Sequence, residues 1–363
     1  MKKLIATLLA GATSLTAAVT LAPTAASATP PISYWRESTG GLAVNGTYRS
    51  VVGDFAEGPE DDILWNSNTS ATDHLWTSNG DGTFAKAPLT VQPPANAIPL
   101  VGDFLGDDKE DIFWYGPGSA PDAMWQASGG SFRTGTGRVN GTYDAKVLDD
   151  ATGKDAIVFY DTSSGRGSIW SWGDRGSFVQ RSITGPAGAT LLTGRFSDDG
   201  CADLYLFANS GHDPLVELDC DGLARQTLNQ TLVTDSRPYV GQFSVGRDAQ
   251  DDILWVNPAG INTMLDENEV NGRFSRSHPM VPYTGTLLRV ANGYAAIARW
   301  DTTTGQHHIW FQVPGGYSFN ADLANTPMPR SYRPIVGAFV GSGEDIFWYQ
   351  AGSAPERLFS MPG

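Results

Sequence analysis

The chain has 363 residues, of which 40% are apolar and only 17% charged, with 42 Gly, 11 Trp and a formal net charge of −15. This composition fits a β-rich, turn-rich extracellular chain and excludes a coiled coil or helical solenoid, which need Ala, Leu, Glu and Lys in bulk. The negative charge argues against nucleic acid and anionic membranes as partners, because both would repel it.

The chain begins with Lys2 and Lys3, a mainly apolar run from Leu4 to Ala22, and the small-x-small site Ala26-Ser27-Ala28. That pattern predicts a secretory signal peptide over residues 1–28, with export of a mature chain starting at Thr29. No later apolar stretch is long enough to span a bilayer as a helix, so the mature protein is not expected to be membrane-embedded.

Seven related segments follow. Arg49 to Trp65 reads RSVVGDFAEGPEDDILW, and Ile98 to Trp114 reads IPLVGDFLGDDKEDIFW. Ala145 to Tyr160 is a weaker copy, followed by Thr190 to Phe207, Arg237 to Trp255, the weak copy Leu287 to Trp300, and Arg333 to Trp348. The spacing is roughly 48 residues, inside the 40–50 residue range of propeller repeats. Each unit predicts four strands: a VVGDF-like run, a DILW-like run, a third run around a Leu/Ile/Met-Trp pair such as Leu75-Trp76, and a fourth after a Gly turn.

The closure is also legible. Val44-Asn45-Gly46-Thr47-Tyr48 recurs as Val139-Asn140-Gly141-Thr142-Tyr143, where one unit passes into the next. The run Ser33 to Glu37 therefore takes the place of a fourth strand, and the last unit stops after its third, near Glu356 to Met361. The expectation is an all-β, seven-bladed β-propeller over residues 29–363, built of four-stranded antiparallel blades. The N-terminal strand closes the ring and covers the edges that would invite association. A monomer is expected.

The residues Gly53-Asp54-Phe55…Asp61-Asp62-Ile63-Leu64-Trp65 and Gly102-Asp103-Phe104…Asp107…Asp111-Ile112-Phe113-Trp114 resemble the FG-GAP/VCBS repeats, known from the seven-bladed propellers of integrin α subunits. The resemblance implies Ca²⁺ in the turn between the first two strands, since a hard cation wants six to eight oxygens and a tight Gly turn can aim them. In the second unit it implies Asp103, Asp107 and Asp111 as ligands, with the backbone carbonyl of Lys109. Leu105 stands where the family has a polar ligand. In the fourth unit Arg195 replaces the leading Asp, and its guanidinium could pair with the neighbouring carboxylates. The competing reading is that the Asp before the second strand caps the turn by accepting backbone N–H bonds. That Asp is read at Asp62, Asp111, Asp155, Asp203, Asp252 and Asp345.

The recurrent aromatics Trp65, Trp114, Phe159, Trp255 and Trp348 suit packing between units better than sugar stacking, because they fall in strands. Ligand residues are sought instead around the repeated loops Gly118-Ser119-Ala120-Pro121-Asp122 and Gly352-Ser353-Ala354-Pro355-Glu356, which nominate Tyr115, Asp122, Tyr349 and Glu356. Those loops could equally be turns. Support for catalysis is thin. No Gly-x-Ser-x-Gly elbow is present, and the acids mostly repeat, whereas an acid/base pair needs unequal environments. The sixth unit departs most, with Arg299, His307 and His308.

Cys201 and Cys220 are the only cysteines. Export favours a bridge between them, and both fall at one rim of the fourth unit. The functional expectation is an exported, non-catalytic protein binding a glycan or another cell-surface component. The alternatives are a polysaccharide lyase or hydrolase and a protein-interaction scaffold.

Overall fold

Strand side chains alternate between two faces, so a strand that is apolar throughout must be covered on both. The segments Asp62–Asn66, Asp111–Tyr115 and Asp252–Val256 are buried at every position. In the computed structural model each is an inner strand of a four-stranded antiparallel sheet. The structure describes residues 36–38, 42–69, 71–149, 153–173, 176–197, 199–208, 213–218, 220, 224–230, 237–241, 250–256, 263–268, 273–277, 286–291, 295–300, 307–312, 319–322, 328–329, 331–341 and 343–360. The predicted signal peptide lies outside them. No helix occurs among the described residues, and none is long and apolar enough to cross a membrane.

The described strands form seven four-stranded sheets. The first contains Arg49–Gly53, Asp62–Asn66, His74–Ser78 and Phe84–Pro88. The second contains Ile98–Gly102, Asp111–Tyr115, Asp122–Ala127 and Phe132–Gly137. The third contains Asp144–Leu148, Ala156–Asp161, Arg166–Gly173 and Ser177–Thr184. Three further sheets begin at Thr190, Arg237 and Thr286. The seventh joins Arg333–Val340, Gly343–Tyr349 and Arg357–Ser360 to the N-terminal strand Arg36–Ser38, with Glu37 opposite Phe359. Arg357 reinforces that pairing through two hydrogen bonds to the Glu37 carboxylate.

Apolar cores sit between successive sheets. Leu64 and Val51 of the first sheet pack with Ile112, Trp114 and Trp125 of the second. Ile63, Trp65 and Trp76 face the other way, against Phe347, Tyr349 and Leu358 of the seventh. Phe113 and Met124 of the second sheet meet Ile157 and Phe159 of the third. Trp65, Trp114 and Trp348 are each at most 1% exposed, so at these positions the recurrent aromatics pack between sheets. The contribution is large, because a buried aromatic ring removes about 150–250 Å² from water.

Candidate functional site

The turn after the first strand is organised by the Asp that opens the second. Asp62 accepts from Phe55 N and Ser78 N, both at 2.9 Å. Asp203 does the same with Phe196 N and Leu218 N, and Asp111 accepts from Ala127 N at 3.0 Å. Burial pushes the carboxyls up, to about 6 for Asp62 and about 7 for Asp111 and Asp203, against the opposing effect of these hydrogen bonds. Asp155 does not belong to this series. Ala156 holds the equivalent register opposite Leu148, as Asp111 does opposite Gly102.

Asp155 belongs to a second series, one residue earlier, that the sequence reading missed. Glu110 N donates to Asp54 O at 2.9 Å, and Glu110 Oε2 accepts from Asp54 N at 2.8 Å. The same two-bond clasp joins Asp155 to Asp103, Asp251 to Arg195, and Asp61 to Ala338. Each links one sheet to the sheet before it, and the last links the first sheet to the seventh. The clasp explains the glycine of the VGDF run: a Cβ on Gly53 would stand 2.5 Å from Glu110 Oε2. Burial, with the charges of Asp61, Asp155 and Asp54 around it, raises the Glu110 carboxyl to about 7.

The second-unit loop does not present its acids outward together. Asp103 turns its carboxylate onto its own loop, accepting from the backbone N–H of Gly106, Asp107 and Asp108. Asp107 accepts from Lys109 N at 3.3 Å. One oxygen of Asp111 has no hydrogen-bond partner among the described residues. Among them no group of three or more His, Cys, Asp or Glu is placed to hold a metal. Lys109 reaches into the neighbouring loop: its Nζ donates to both carboxylate oxygens of Asp54 at 2.8 Å and to Gly58 O at 2.6 Å. Arg195 behaves differently from the sequence expectation. No ion pair to Asp199 or Asp203 is formed among the described residues, and its Nε is buried without an acceptor there.

Tyr115, Asp122, Tyr349 and Glu356 are buried, at 0%, 5%, 4% and 0% exposure. The Tyr115 hydroxyl donates to Gly141 O and accepts from Tyr143 N, both at 2.8 Å, while Asp122 accepts from Gly116 N and Val139 N. Tyr349 repeats this with Gly46 O and Tyr48 N, and Glu356 accepts from Val44 N. The four residues thus hold the two Val-Asn-Gly-Thr-Tyr connections in place, and the two sequence recurrences turn out to be two halves of one clamp. Arg299 pairs with His308 and Trp300 with His307 in strand register; their side chains lie outside the described residues.

The disulfide Cys201–Cys220 is formed, with Cα atoms 5.2 Å apart.

A cleft of about 600 Å³ opens between the outer strands of the second and third sheets. Its floor holds Phe113 and Met124, and one wall holds the half-buried rings of Trp170, Trp172 and Phe178. Gln126 and Gln180 bring amides to the rim, and Arg138 the one charge of the lining; Thr134 and Thr136, opposite Trp125 and Ala123, share the sheet face of those residues, turned towards the first sheet. The Trp172 and Phe178 rings meet edge to face, with centroids 4.9 Å apart. Packing of the two sheets decided this site; no single recurring residue announced it.

No family model matches the chain, and no curated protein matches it. Among solved structures, BBS1N in complex with ARL6DN is similar at 11% identity, over 91% of this chain and 97% of that one, with a TM-score of 0.51. The periplasmic gluconolactonase of Pseudomonas aeruginosa is similar at 12% identity, over 87% of this chain and 99% of that one, with a TM-score of 0.46. A Lactobacillus plantarum protein matches at 12% identity over 91% and 95%, with a TM-score of 0.49. The fold is therefore of the all-β, β-propeller class. Identities this low carry the fold and nothing of the activity.

Proposed function

We propose that this chain is an exported seven-bladed β-propeller of FG-GAP/VCBS type that binds a neutral glycan of the cell surface and does no chemistry on it. The observation that carries this reading is the cleft between the second and third sheets. Its aromatic wall offers faces for sugar C–H groups, and its rim offers the amides of Gln126 and Gln180 for sugar hydroxyls. A lining with one cation and no carboxylate suits a neutral or weakly anionic ligand. The raised carboxyls Asp62, Glu110, Asp111 and Asp203 are spent on backbone N–H groups. They recur from sheet to sheet, unlike an acid/base pair, which needs one asymmetric place. Ring closure is supported by the Arg36–Ser38 pairing and the Asp61–Ala338 clasp. The disulfide suits an oxidising compartment.

A glycan array probed with the mature protein tests the reading, with Trp172→Ala as the matched variant. Binding of a defined glycan class that weakens at least about fivefold in Trp172→Ala is expected, by analogy with base–aromatic stacking, which is worth roughly 1–3 kcal/mol. Binding untouched by Trp172→Ala places the ligand elsewhere. Turnover of a bound polysaccharide would overturn the non-catalytic reading.

A further inference from the structure

The cleft has a neighbour on the other face of the strand Phe132–Gly137. A second groove, of about 450 Å³, lies between that strand and the connection that joins the first and second sheets. Trp125 and Ala123 of the second sheet line it, with Val91, Gln92, Pro93 and Pro94 of the connection. Cleft and groove share Thr134, Gly135 and Thr136 in their linings. The strand is the last of its sheet, so among the described residues the N–H and C=O groups of its outer edge meet no other strand. The groove is lined by no charged side chain and the cleft by no carboxylate, in a chain that carries 39 Asp and Glu. Two uncharged hollows therefore flank one open strand edge.

Gly135 stands between them, and the fold does not require it. Its neighbour Gly137 is required by packing, because a Cβ there would stand 2.9 Å from Phe113 Cε2. Gly135 pairs with Met124, on the cleft side, and its φ lies outside the left-handed region. A Cβ on it would come no nearer than 3.9 Å to any atom beyond its chain neighbours. Glycine inside a strand gives up a side chain that would pack, and it marks the close approach of a ligand or another backbone. At the same register the first, third, fourth and fifth sheets carry Ala87, Arg181, Leu228 and Ser277.

The other face of the strand breaks the repeat as well. Thr134 lies opposite Trp125 as Lys86 lies opposite Trp76 in the first sheet. There the Lys86 ammonium sits over the Trp76 ring, 3.6 Å from its centre. Threonine is too short to do the same for Trp125, and the groove opens at that place.

We infer that cleft and groove are two halves of one trough, that a neutral glycan chain crosses the strand at Gly135, and that the protein recognises the interior of such a chain and not its terminal sugar. This rests on the glycan reading above. Packed sheets lie about 10 Å apart, so a ligand that reaches both faces of one sheet spans several sugars, while a single ring fills one hollow. The open edge between the hollows supplies backbone donors and acceptors for the hydroxyls of the sugar that crosses.

The test is calorimetric titration of the mature protein with neutral linear fragments of glucan, mannan, galactan and xylan, each in lengths from two to six sugars. In the series that binds, affinity should rise at least about tenfold between the shortest and the longest fragment, since the second half adds its contacts within one ligand. Thr134→Lys should melt with the parent, as the first sheet carries lysine at this register, and should bring the longest fragment down to the affinity of the shortest. Gly135→Val should melt at or above the parent, because valine suits a strand and meets open space, yet should weaken fragments of every length at least tenfold. Equal affinity for short and long fragments overturns the inference and leaves the glycan reading standing, and so does a Thr134→Lys protein that keeps the gain with length. A Gly135→Val protein that binds as the parent does overturns the crossing at Gly135. If no fragment of any length binds, or an uncharged peptide binds in their place, the glycan reading falls and the inference with it.

Discussion

Glu356 accepts a hydrogen bond from the backbone N–H of Val44 at 3.0 Å, across 312 residues of sequence. Beside it, the Tyr349 hydroxyl bridges Gly46 O and Tyr48 N. The last strands of the chain therefore fix the segment that enters the first sheet. Tyr115 and Asp122 do the same between the second and third sheets. Tyr349→Phe strips one buried N–H and one carbonyl of their partner. It should destabilise by about 1–3 kcal/mol in urea unfolding. Tyr115→Phe should cost a similar amount, and the two should add, because the sites are remote.

The strand Arg36–Ser38 covers the outer edge of the seventh sheet. Deleting residues 32–38 uncovers the edge strand Arg357–Ser360 and removes the Glu37–Arg357 pair. The truncated protein should melt lower and should self-associate, since an open strand edge is a pairing surface. Light scattering beside calorimetry checks both outcomes. An unchanged melting temperature and a monomer would show that the edge is not what the strand protects.

The pH dependence follows from the buried acids. Asp62, Glu110, Asp111 and Asp203 have folded-state values of about 6 to about 7, above the usual carboxylate range of 3.8–4.5. A carboxyl raised on folding binds its proton more tightly in the folded chain. Its contribution is fully present below about pH 4 and is lost as pH rises through about 6–7. These four groups should therefore make the protein more stable at pH 5 than at pH 8. Asp111→Asn should flatten that slope, and denaturant midpoints across this range will show it. A midpoint that rises from pH 5 to pH 8 in the parent and is unaltered in the variant contradicts the assignment.

The Cys201–Cys220 bridge closes a 19-residue separation in the fourth sheet. In the chain-entropy model a loop of this size is worth about 3 kcal/mol. Reduction, or Cys201→Ser/Cys220→Ser, should lower stability by about that amount. Intact mass before and after reduction and alkylation should show one bridge in the unreduced protein.

The sequence by itself determined the strands, their number per unit and the order in which they pair. Those features rest on local rules: short continuous apolar runs such as Ile63–Trp65, Gly and Asp at the turns, and a repeat long enough for four strands. The capping Asp at 62, 111 and 203 and the packing of Trp65, Trp114 and Trp348 were legible for the same reason. What only the tertiary structure decided is which residue of one sheet meets which residue of the next. Nothing along the chain distinguishes Asp155, which clasps the preceding sheet, from Asp111, which caps its own turn; a shift of one residue separates them, and one residue turns a side chain to the other face. The same holds for Tyr115 and Glu356, whose partners lie in a connection that only the packing of one sheet against the next brings near, and for Lys109, whose four-carbon stem carries its charge to a loop 55 residues away. The cleft of Trp170, Trp172 and Phe178 exists only where two sheets meet, and that meeting belongs to the packing of sheets against each other, which no single run of residues encodes.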